Sequence, residues 1–233
     1  MAHRPQPEQQ AAPVQRLRVK YAKRGQARFT SHRDFSRAFE RALRRAAVPM
    51  AYSSGFSPHP RISYANASPT GAASEAEYLE IGLAERCDPQ RVQAALDAAL
   101  PPGLDIVEVV TAPPGALADL LSGSRWHAAL VGVPPGVLQR SVQAFLAEDA
   151  VRVERMTKNG LREFDARGAV VSIDTDPGGL VMTLAHQVPL VRPDDVLTAF
   201  HTLTPQFDPV EVPVLTRLTQ GRLDPETGAI AEP

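Results

Sequence analysis

Apolar residues recur along the chain in two periods, every second residue in some segments and every three or four in others. In "LRVKYAKRG" they alternate with basic residues, which predicts a half-buried strand with its apolar face at Leu17, Val19 and Tyr21. The next segment, "TSHRDFSRAFERALRRAAVP", has one apolar stripe at helical spacing, made of Phe35, Ala38, Phe39, Ala42, Leu43 and Ala46. It predicts a helix that Thr30 or Ser31 can cap and that Pro49 ends.

The same patterns continue to the C-terminus and give one order of elements twice. A strand bent by a loop, "MAYSS" then "RISYANA", precedes the strand "EAEYLEIGLAE", the helix "DPQRVQAALDAALPPG" and the strand "LDIVEVVTA". The second half begins with the strand "RWHAALVGV" and the helix "PPGVLQRSVQAFLAED". Its strand-rich middle contains the hairpin signal Asn159-Gly160, and it ends with "GLVMTLAHQV", "RPDDVLTAFHTLT" and "VEVPVLTRLTQGRL" as strand, helix and strand. This order predicts an α+β protein of two tandem ferredoxin-like (βαββαβ) units.

The pattern also predicts the boundaries of these units. Residues 1–14 form a disordered lead, 15–112 the first ferredoxin-like unit, 113–124 a linker with room for one helical turn, and 125–223 the second unit. The tail at 224–233 is expected to be loose.

Composition narrows the classes of protein that fit. Hydrophobic residues make up 43% of the 233 residues and charged residues 22%, as in a globular protein with a core. No apolar run approaches the ~20 residues of a membrane span, and the N-terminus lacks the apolar core of a signal peptide, so a cytoplasmic protein is expected. The single cysteine, Cys87, excludes an internal disulfide and a cysteine-rich metal or iron–sulfur cluster. The histidines have no metal-ligand spacing, and neither a metal nor a cofactor is expected.

Charge is unevenly distributed although the net charge is only −1. Residues 14–64 contain twelve Lys and Arg but only Asp34 and Glu40 as acids, whereas 75–108 is acidic. At 100° per residue, five arginines gather on the helix face opposite the apolar stripe: Arg33, Arg37, Arg41, Arg44 and Arg45. Together with Arg16, Arg18, Lys20 and Lys23 of the adjacent strand, they predict a phosphate-binding surface. The alternative is a solvated charged face compensated by the acidic segment.

The loop in "YSSGFSPHPRISYA" carries more chemistry than a turn requires. Gly55 and the prolines suit a wide turn, but a turn needs no aromatic ring, imidazole or guanidinium. The functional interpretation is that Tyr52 or Phe56 stacks on an RNA base while His59 and Arg61 contact the backbone. In the alternative interpretation, Phe56 plugs the core and His59 is solvated.

Three residues are weak candidates for catalysis. His32, with His59 or Tyr52, has the side chains for general acid–base cleavage of RNA, provided that the fold brings them together. His32 also stands at a helix N-terminus, where Ser31 and Asp34 have capping-box spacing and free N–H groups suit an anion.

The predicted hairpin is a candidate for a second RNA-contacting finger, since it carries Arg155, Lys158, Asn159, Gly160 and Arg162. The more common alternative is that such a hairpin is simply solvated.

Segment 29–81 resembles the radical-SAM-linked bacterial protein family, a domain of unknown function. The motif consists of Ser31, His32 and Asp34, then Ala42, Arg44, Arg45 and Ala46, then Tyr52, Ser53, Gly55, Phe56, Pro58 and Pro60, and finally Gly71, Ser74, Glu77 and Tyr78. The resemblance implies a gene next to, or fused to, that of a radical-SAM protein, often close to a ribonuclease of the E/G type. It implies no settled activity.

The sequence therefore predicts an RNA-binding accessory protein that acts with a separate radical-SAM enzyme in tRNA or rRNA modification. One cysteine cannot supply the three-cysteine cluster motif of that chemistry, so the radical step needs a partner chain. Two alternatives stay open: a metal-independent endoribonuclease of the CRISPR repeat-processing type, and a protein-binding scaffold. The oligomeric state is not predicted.

Overall fold

The computed structural model describes residues 9–157 and 160–233. The fold is α+β, with four α-helices and β-sheets among the described residues. The chain divides into two compact units, one reaching up to Thr70 and including Ser74–Ala118, the other formed by Gly71–Ala73 and Asp119–Pro233. No helix among the described residues has the length and apolar character needed to cross a membrane.

From residue 9 onwards, the first unit contains four strands and two α-helices: β1 (Gln15–Lys23), α1 (His32–Arg45), β2 (Ile62–Ala65), β3 (Ala73–Leu83), α2 (Pro89–Ala99) and β4 (Leu104–Thr111). A short 3-10 helix, Gly25–Phe29, connects β1 to α1. The strands lie in the order β4-β1-β3-β2, and neighbours are antiparallel. The order follows from the helical crossovers, each of which leaves room for one strand between the strands that it joins.

Helix α1 forms as the sequence predicts. Ser31 caps it, since its hydroxyl accepts a hydrogen bond from the backbone N–H of Asp34 at 3.2 Å. The predicted apolar stripe packs on the sheet, where Phe35 stacks on Tyr21 with ring centroids 4.2 Å apart and Phe39 has no exposed surface. This packing turns the opposite side of α1 towards solvent.

In the part of the second unit that the structure describes, there are five sheet strands, a two-stranded ribbon and two α-helices. They are β5 (Gly123–Ala129), α3 (Pro135–Ala147), β6 (Arg152–Thr157), β7 (Gly160–Asp165), β8 (Val170–Asp176), β9 (Gly179–Ala185), α4 (Pro193–Leu203), β10 (Val214–Leu223) and β11 (Ile230–Ala231). The sheet order is β10-β5-β9-β8, again antiparallel, and β6 pairs only with β7 in the separate ribbon. In the core of this unit, the ring of Phe200 meets those of Phe145 and Phe207 edge-on, with ring centroids 5.4 Å apart in each pair.

Two segments differ in detail from the predicted elements, whereas the linker contains the single helical turn for which it has room. "MAYSS" is not a strand: Met50 and Tyr52 make only isolated bridges, since the prolines around them lack the N–H groups that a continuous ladder needs. The tail, expected to be loose, contains β11, which pairs with Arg222 and Leu223 of β10. In the linker, Leu117–Leu120 forms a 3-10 turn anchored by the buried Leu117.

Two predictions fall partly on residues that the structure leaves out. The disordered lead at 1–14 overlaps residues 1–8, which lie outside the described residues. The hairpin signal Asn159-Gly160 includes Asn159, which also lies outside them, but the flanking strands pair from Arg152 with Asp165 to Thr157 with Gly160.

Candidate nucleic-acid interface

The five arginines of α1 form one exposed face, which we call the arginine face: Arg33, Arg37, Arg41, Arg44 and Arg45. The acids of the helix do little to neutralise it. Glu40 approaches Arg44 at 3.9 Å, and the Asp34 carboxylate accepts a hydrogen bond from the Ser31 hydroxyl at 2.6 Å as part of the cap. The face therefore carries a large positive charge in solvent, a physical requirement for binding phosphates.

The basic residues of β1 do not extend this face, contrary to expectation. Arg18 is only 2% exposed, and its guanidinium donates to Glu80 at 2.8 Å; Arg16 pairs with the same carboxylate. Lys23 is 4% exposed. Because side chains alternate along a strand, those next to the inward-facing Leu17 and Val19 point to the other side of the sheet from α1. Arg18 and Lys23 are thus buried charges that cannot reach a phosphate in solvent.

The loop Tyr52–Pro60 is a closed structure with an exposed aromatic ring. Ser53 N–H donates to the carbonyl of His59 at 2.8 Å, and the Ser53 hydroxyl accepts from the His59 N–H at 3.0 Å. Gly55 has a φ of +125°, a conformation that favours glycine. Phe56 is 67% exposed and His59 is exposed, so Phe56 is not a core plug.

Tyr52 and Arg61 complete the base of this loop. The Arg61 Nε donates to the Tyr52 carbonyl at 3.1 Å, while the Tyr52 ring is 42% exposed. One N–H of the Arg61 guanidinium is therefore used to hold the loop closed, while the residue as a whole is exposed.

His32 lies against a tyrosine rather than against another histidine. Its ring meets Tyr64 of β2 edge-on at 4.8 Å, and Tyr64 also contacts Phe35. His59 precedes Tyr64 by five residues, up to about 17 Å of extended chain. No contact of the described residues joins His32 to His59 or Tyr52, so the structure shows no assembled acid–base pair.

The environment of Tyr64 keeps its phenol neutral. Burial raises the pKa of Tyr64, the charge of Glu40 raises it further, and the nearby Ser36 hydroxyl opposes both. Ser36 donates its own proton to the His32 carbonyl at 2.9 Å, and the Tyr64 oxygen lies buried without a hydrogen bond of normal geometry among the described residues.

A family model matches residues 16–193, which include α1 and the loop; its description is "Uncharacterized protein conserved in bacteria (DUF2344)". The chain belongs to this family. Among curated proteins, none matches the chain. The chain is also similar to a solved structure of an unknown protein from Galdieria sulphuraria, with 18% identity over 87% of this chain and 98% of that one and a TM-score of 0.25.

The family match also includes the β6–β7 ribbon, but Arg155 in this ribbon is not available as a finger. Its guanidinium pairs with Asp195 at 2.5 Å, donates to the carbonyl of Leu190 at 3.0 Å and lies over the ring of Phe164. Arg162 is exposed, whereas Lys158 and Asn159 lie outside the described residues. Arg155 thus anchors the ribbon to α4 instead of projecting from it.

Within 9–157 and 160–233, no group of three or more His, Cys, Asp or Glu side chains is placed to hold a metal ion. Sequence reasoning missed Tyr64 as the neighbour of His32. The signal was present, since Ile62 and Tyr64 alternate on β2 and so face the same side as the stripe of α1.

Proposed function

We propose that the protein binds single-stranded RNA on the arginine face and presents it to a separate radical-SAM enzyme in tRNA or rRNA modification. The observation that carries the proposal is the exposure of all five arginines on one side of α1. Guanidinium groups bind phosphate oxygens in a fixed, often bidentate geometry, and the release of counterions from RNA favours such binding.

The exposed Phe56 gives the proposal its second element. A ring that is 67% exposed offers a stacking surface to an unpaired base, which is the usual mode of recognition of single-stranded RNA. His59 and Arg61 in the same loop supply polar groups for the sugar–phosphate backbone.

We also propose that each unit is a ferredoxin-like domain. The orders β4-β1-β3-β2 and β10-β5-β9-β8 support this, because both correspond to the antiparallel order 4-1-3-2 of the βαββαβ fold. In the second unit, the β6–β7 ribbon is an insertion between the first helix and the second strand of that order.

The radical-SAM partner is proposed from the sequence motif of residues 31–78 and from the presence of one cysteine in the chain. A cluster of the kind that such enzymes use requires several cysteine thiolates, so it must be carried by another protein. The accessory role is then to hold the RNA.

Binding is tested by fluorescence anisotropy with a labelled single-stranded RNA of about a dozen nucleotides across a salt series. We expect the wild type to bind with an affinity that falls steeply with salt, by roughly 0.7 in log–log slope for each phosphate contact. Arg37→Glu/Arg41→Glu/Arg44→Glu should abolish binding. Arg140→Glu reverses one charge at an exposed position of α3, outside the arginine face, and should bind as the wild type does. Equal affinity of the folded triple variant and the wild type would refute the proposal.

The partner is tested by purifying the tagged protein anaerobically from its own cells and identifying co-purified proteins. Enrichment of a protein with a three-cysteine cluster motif is the expected result, and its absence from repeated preparations would contradict the accessory role. Cleavage of the RNA by the purified chain alone would instead favour the endoribonuclease alternative, for which no specific contact argues.

A further inference from the structure

A pocket of about 370 Å³ lies in the first unit, where the end of α1 approaches the start of α2. This volume is within the range of small-ligand pockets, roughly 300–1,000 Å³. Its walls are largely apolar, formed by Ala46, Val48, Val92 and Ala95. Two exposed arginines, Arg86 and Arg91, also line it. The pocket thus combines an apolar interior with two cationic groups.

The pocket continues the arginine face. Ala46 and Ala47, which line it, directly follow Arg44 and Arg45 at the end of α1. Two residues span at most about 7 Å, so cationic side chains extend from α1 to the pocket. The acid in the lining, Asp88, is engaged as the cap of α2, where its carboxylate accepts from the N–H of Gln90 at 2.9 Å.

We infer that this pocket is a nucleotide subsite, in which an unpaired base of a bound RNA enters between the apolar walls while Arg86 and Arg91 hold the flanking phosphates. The inference rests on the proposed RNA binding and adds a second contact region to it. A phosphate alone would leave the apolar walls unused, and an apolar peptide would leave two guanidinium groups without anionic partners. A nucleotide of single-stranded RNA satisfies both, since its base offers flat apolar ring faces to the walls, with its polar edge towards solvent, and its phosphates are anionic.

A pocket of the second unit makes a useful contrast. It holds about 620 Å³, but its charged lining consists of Asp194 and Glu211 with no lysine or arginine. Such a lining repels phosphate, so the two pockets differ in the ligand that they admit.

The chain supplies its own reporter for the subsite. Cys87 is the single cysteine and lines the pocket. Its rate of reaction with Ellman's reagent, measured with and without saturating single-stranded RNA of about a dozen nucleotides, reports occupancy directly. We expect the RNA to slow labelling about tenfold or more. The ratio of the two rates is taken within each variant, so that any change in thiol reactivity caused by the substitution cancels.

Substitutions separate the contribution of the two arginines to RNA binding from that of the apolar walls. Arg86→Ala/Arg91→Ala should weaken RNA affinity roughly tenfold and reduce the log–log salt slope by about 1.4, from two lost contacts of about 0.7 each. Ala95→Phe fills the pocket without changing any charge and should also weaken binding. Arg140→Glu serves again as the control. Thermal midpoints show whether each variant is folded, and if Ala95→Phe is not, the arginine variant and Cys87 protection still decide.

The outcomes distinguish this inference from the function on which it rests. A wild type that binds no RNA overturns both. A second outcome overturns only the subsite. In it, the wild type binds RNA and the triple arginine-face variant does not, but RNA leaves the rate of Cys87 labelling unchanged and Arg86→Ala/Arg91→Ala binds RNA as tightly as the wild type. Protection of Cys87 by AMP as effectively as by RNA, at equal concentration, would replace the RNA subsite with a site for a free nucleotide.

Discussion

The imidazole ring of His32 stands edge-on against the phenol ring of Tyr64, with centroids 4.8 Å apart and planes at 90°. This contact connects the first residue of α1 to the edge strand β2 of the first unit. It also orients a histidine that has no role in the helix cap, which Ser31 supplies. The exposed edge of the ring is consequently fixed relative to the arginine face that follows it along the helix.

Removing the Tyr64 hydroxyl should not destabilise the protein. The oxygen is buried without a well-formed hydrogen bond, so Tyr64→Phe keeps the ring contacts and removes a desolvated polar group. We expect the free energy of unfolding to stay constant or rise by about 1 kcal/mol, measured by urea denaturation. A loss of more than about 1 kcal/mol would show that the hydroxyl has a hydrogen-bond partner in solution.

Truncating two phenylalanines of the first unit should change the stability of the protein by very different amounts. Phe39 has no exposed surface, and Phe39→Ala should cost about 3–5 kcal/mol through lost burial and the cavity left behind. Phe56 is 67% exposed, and Phe56→Ala should change stability by under ~0.5 kcal/mol. Thermal unfolding of the two variants is the measurement. Equal midpoints would mean that Phe39, and with it the apolar stripe of α1, is not buried.

The loop variants should lose ligand affinity without losing stability. Phe56→Ala should weaken binding of single-stranded RNA by about 1–3 kcal/mol, the range found when a stacking ring is removed. His59→Ala should weaken it as well, because the proposed site uses this imidazole to contact the RNA backbone. It should leave stability unchanged, because an exposed imidazole supports no core. Titration by anisotropy provides the measurement. Wild-type affinity in both variants would show that the loop is an ordinary turn with no part in binding RNA.

The buried Arg18–Glu80 pair should be far more important for stability than an exposed one. Glu80→Gln leaves a guanidinium that is 3% exposed without its counter-charge and should cost about 3–5 kcal/mol. Glu75→Gln is the matched control: its partner Arg24 has a side chain that is 49% exposed, so this substitution should cost at most about 1 kcal/mol. Similar losses in the two variants would contradict the burial of the Arg18–Glu80 pair.

His186 should make stability depend on pH. Burial lowers the pKa of His186, its backbone contact with Leu121 opposes that shift, and the charge of Arg217 lowers the pKa further. A lowered pKa means that the folded state binds this proton less readily than the unfolded chain, whose histidine titrates near 6.5. Its contribution is therefore fully present above that pH and is lost as the pH falls towards the lower folded value.

Denaturation at pH 7 and pH 5 measures this contribution. His186→Asn, which keeps a donor for the Leu121 carbonyl that Nδ1 contacts at 2.7 Å, should lose less stability over that interval than the wild type. An unchanged dependence in His186→Asn would assign the loss to other groups.

The sequence predicted α1 well because its information is local. The cap at Ser31, the helical spacing of Phe35 and Phe39 and the exposure of the arginines all follow from periodicity within one segment. Likewise, alternation located the apolar face of β1, and the α+β class followed from the order of the elements.

Periodicity could not show what surrounds the polar faces of these strands and helices. On β1 the basic positions looked solvent-exposed, but Arg18 is buried against Glu80, a residue more than sixty positions away. Arg155 similarly resembled a ribbon finger until Asp195 of α4 was placed beside it. The contact between His32 and Tyr64 also required the packing of β2 on α1. Each depends on a pairing between distant segments, which a single sequence does not display.

The arginine face has a definite length. Arg33 and Arg45 are twelve residues apart, and a helix rises about 1.5 Å per residue, so the face extends roughly 18 Å before α1 ends. Under the proposed function, a long RNA would be held along α1, at the Tyr52–Pro60 loop and at the subsite inferred beside the end of the helix, and would gain little affinity from nucleotides beyond these contacts. The rest of the strand would stay uncovered, which leaves the bases on either side open to a second protein.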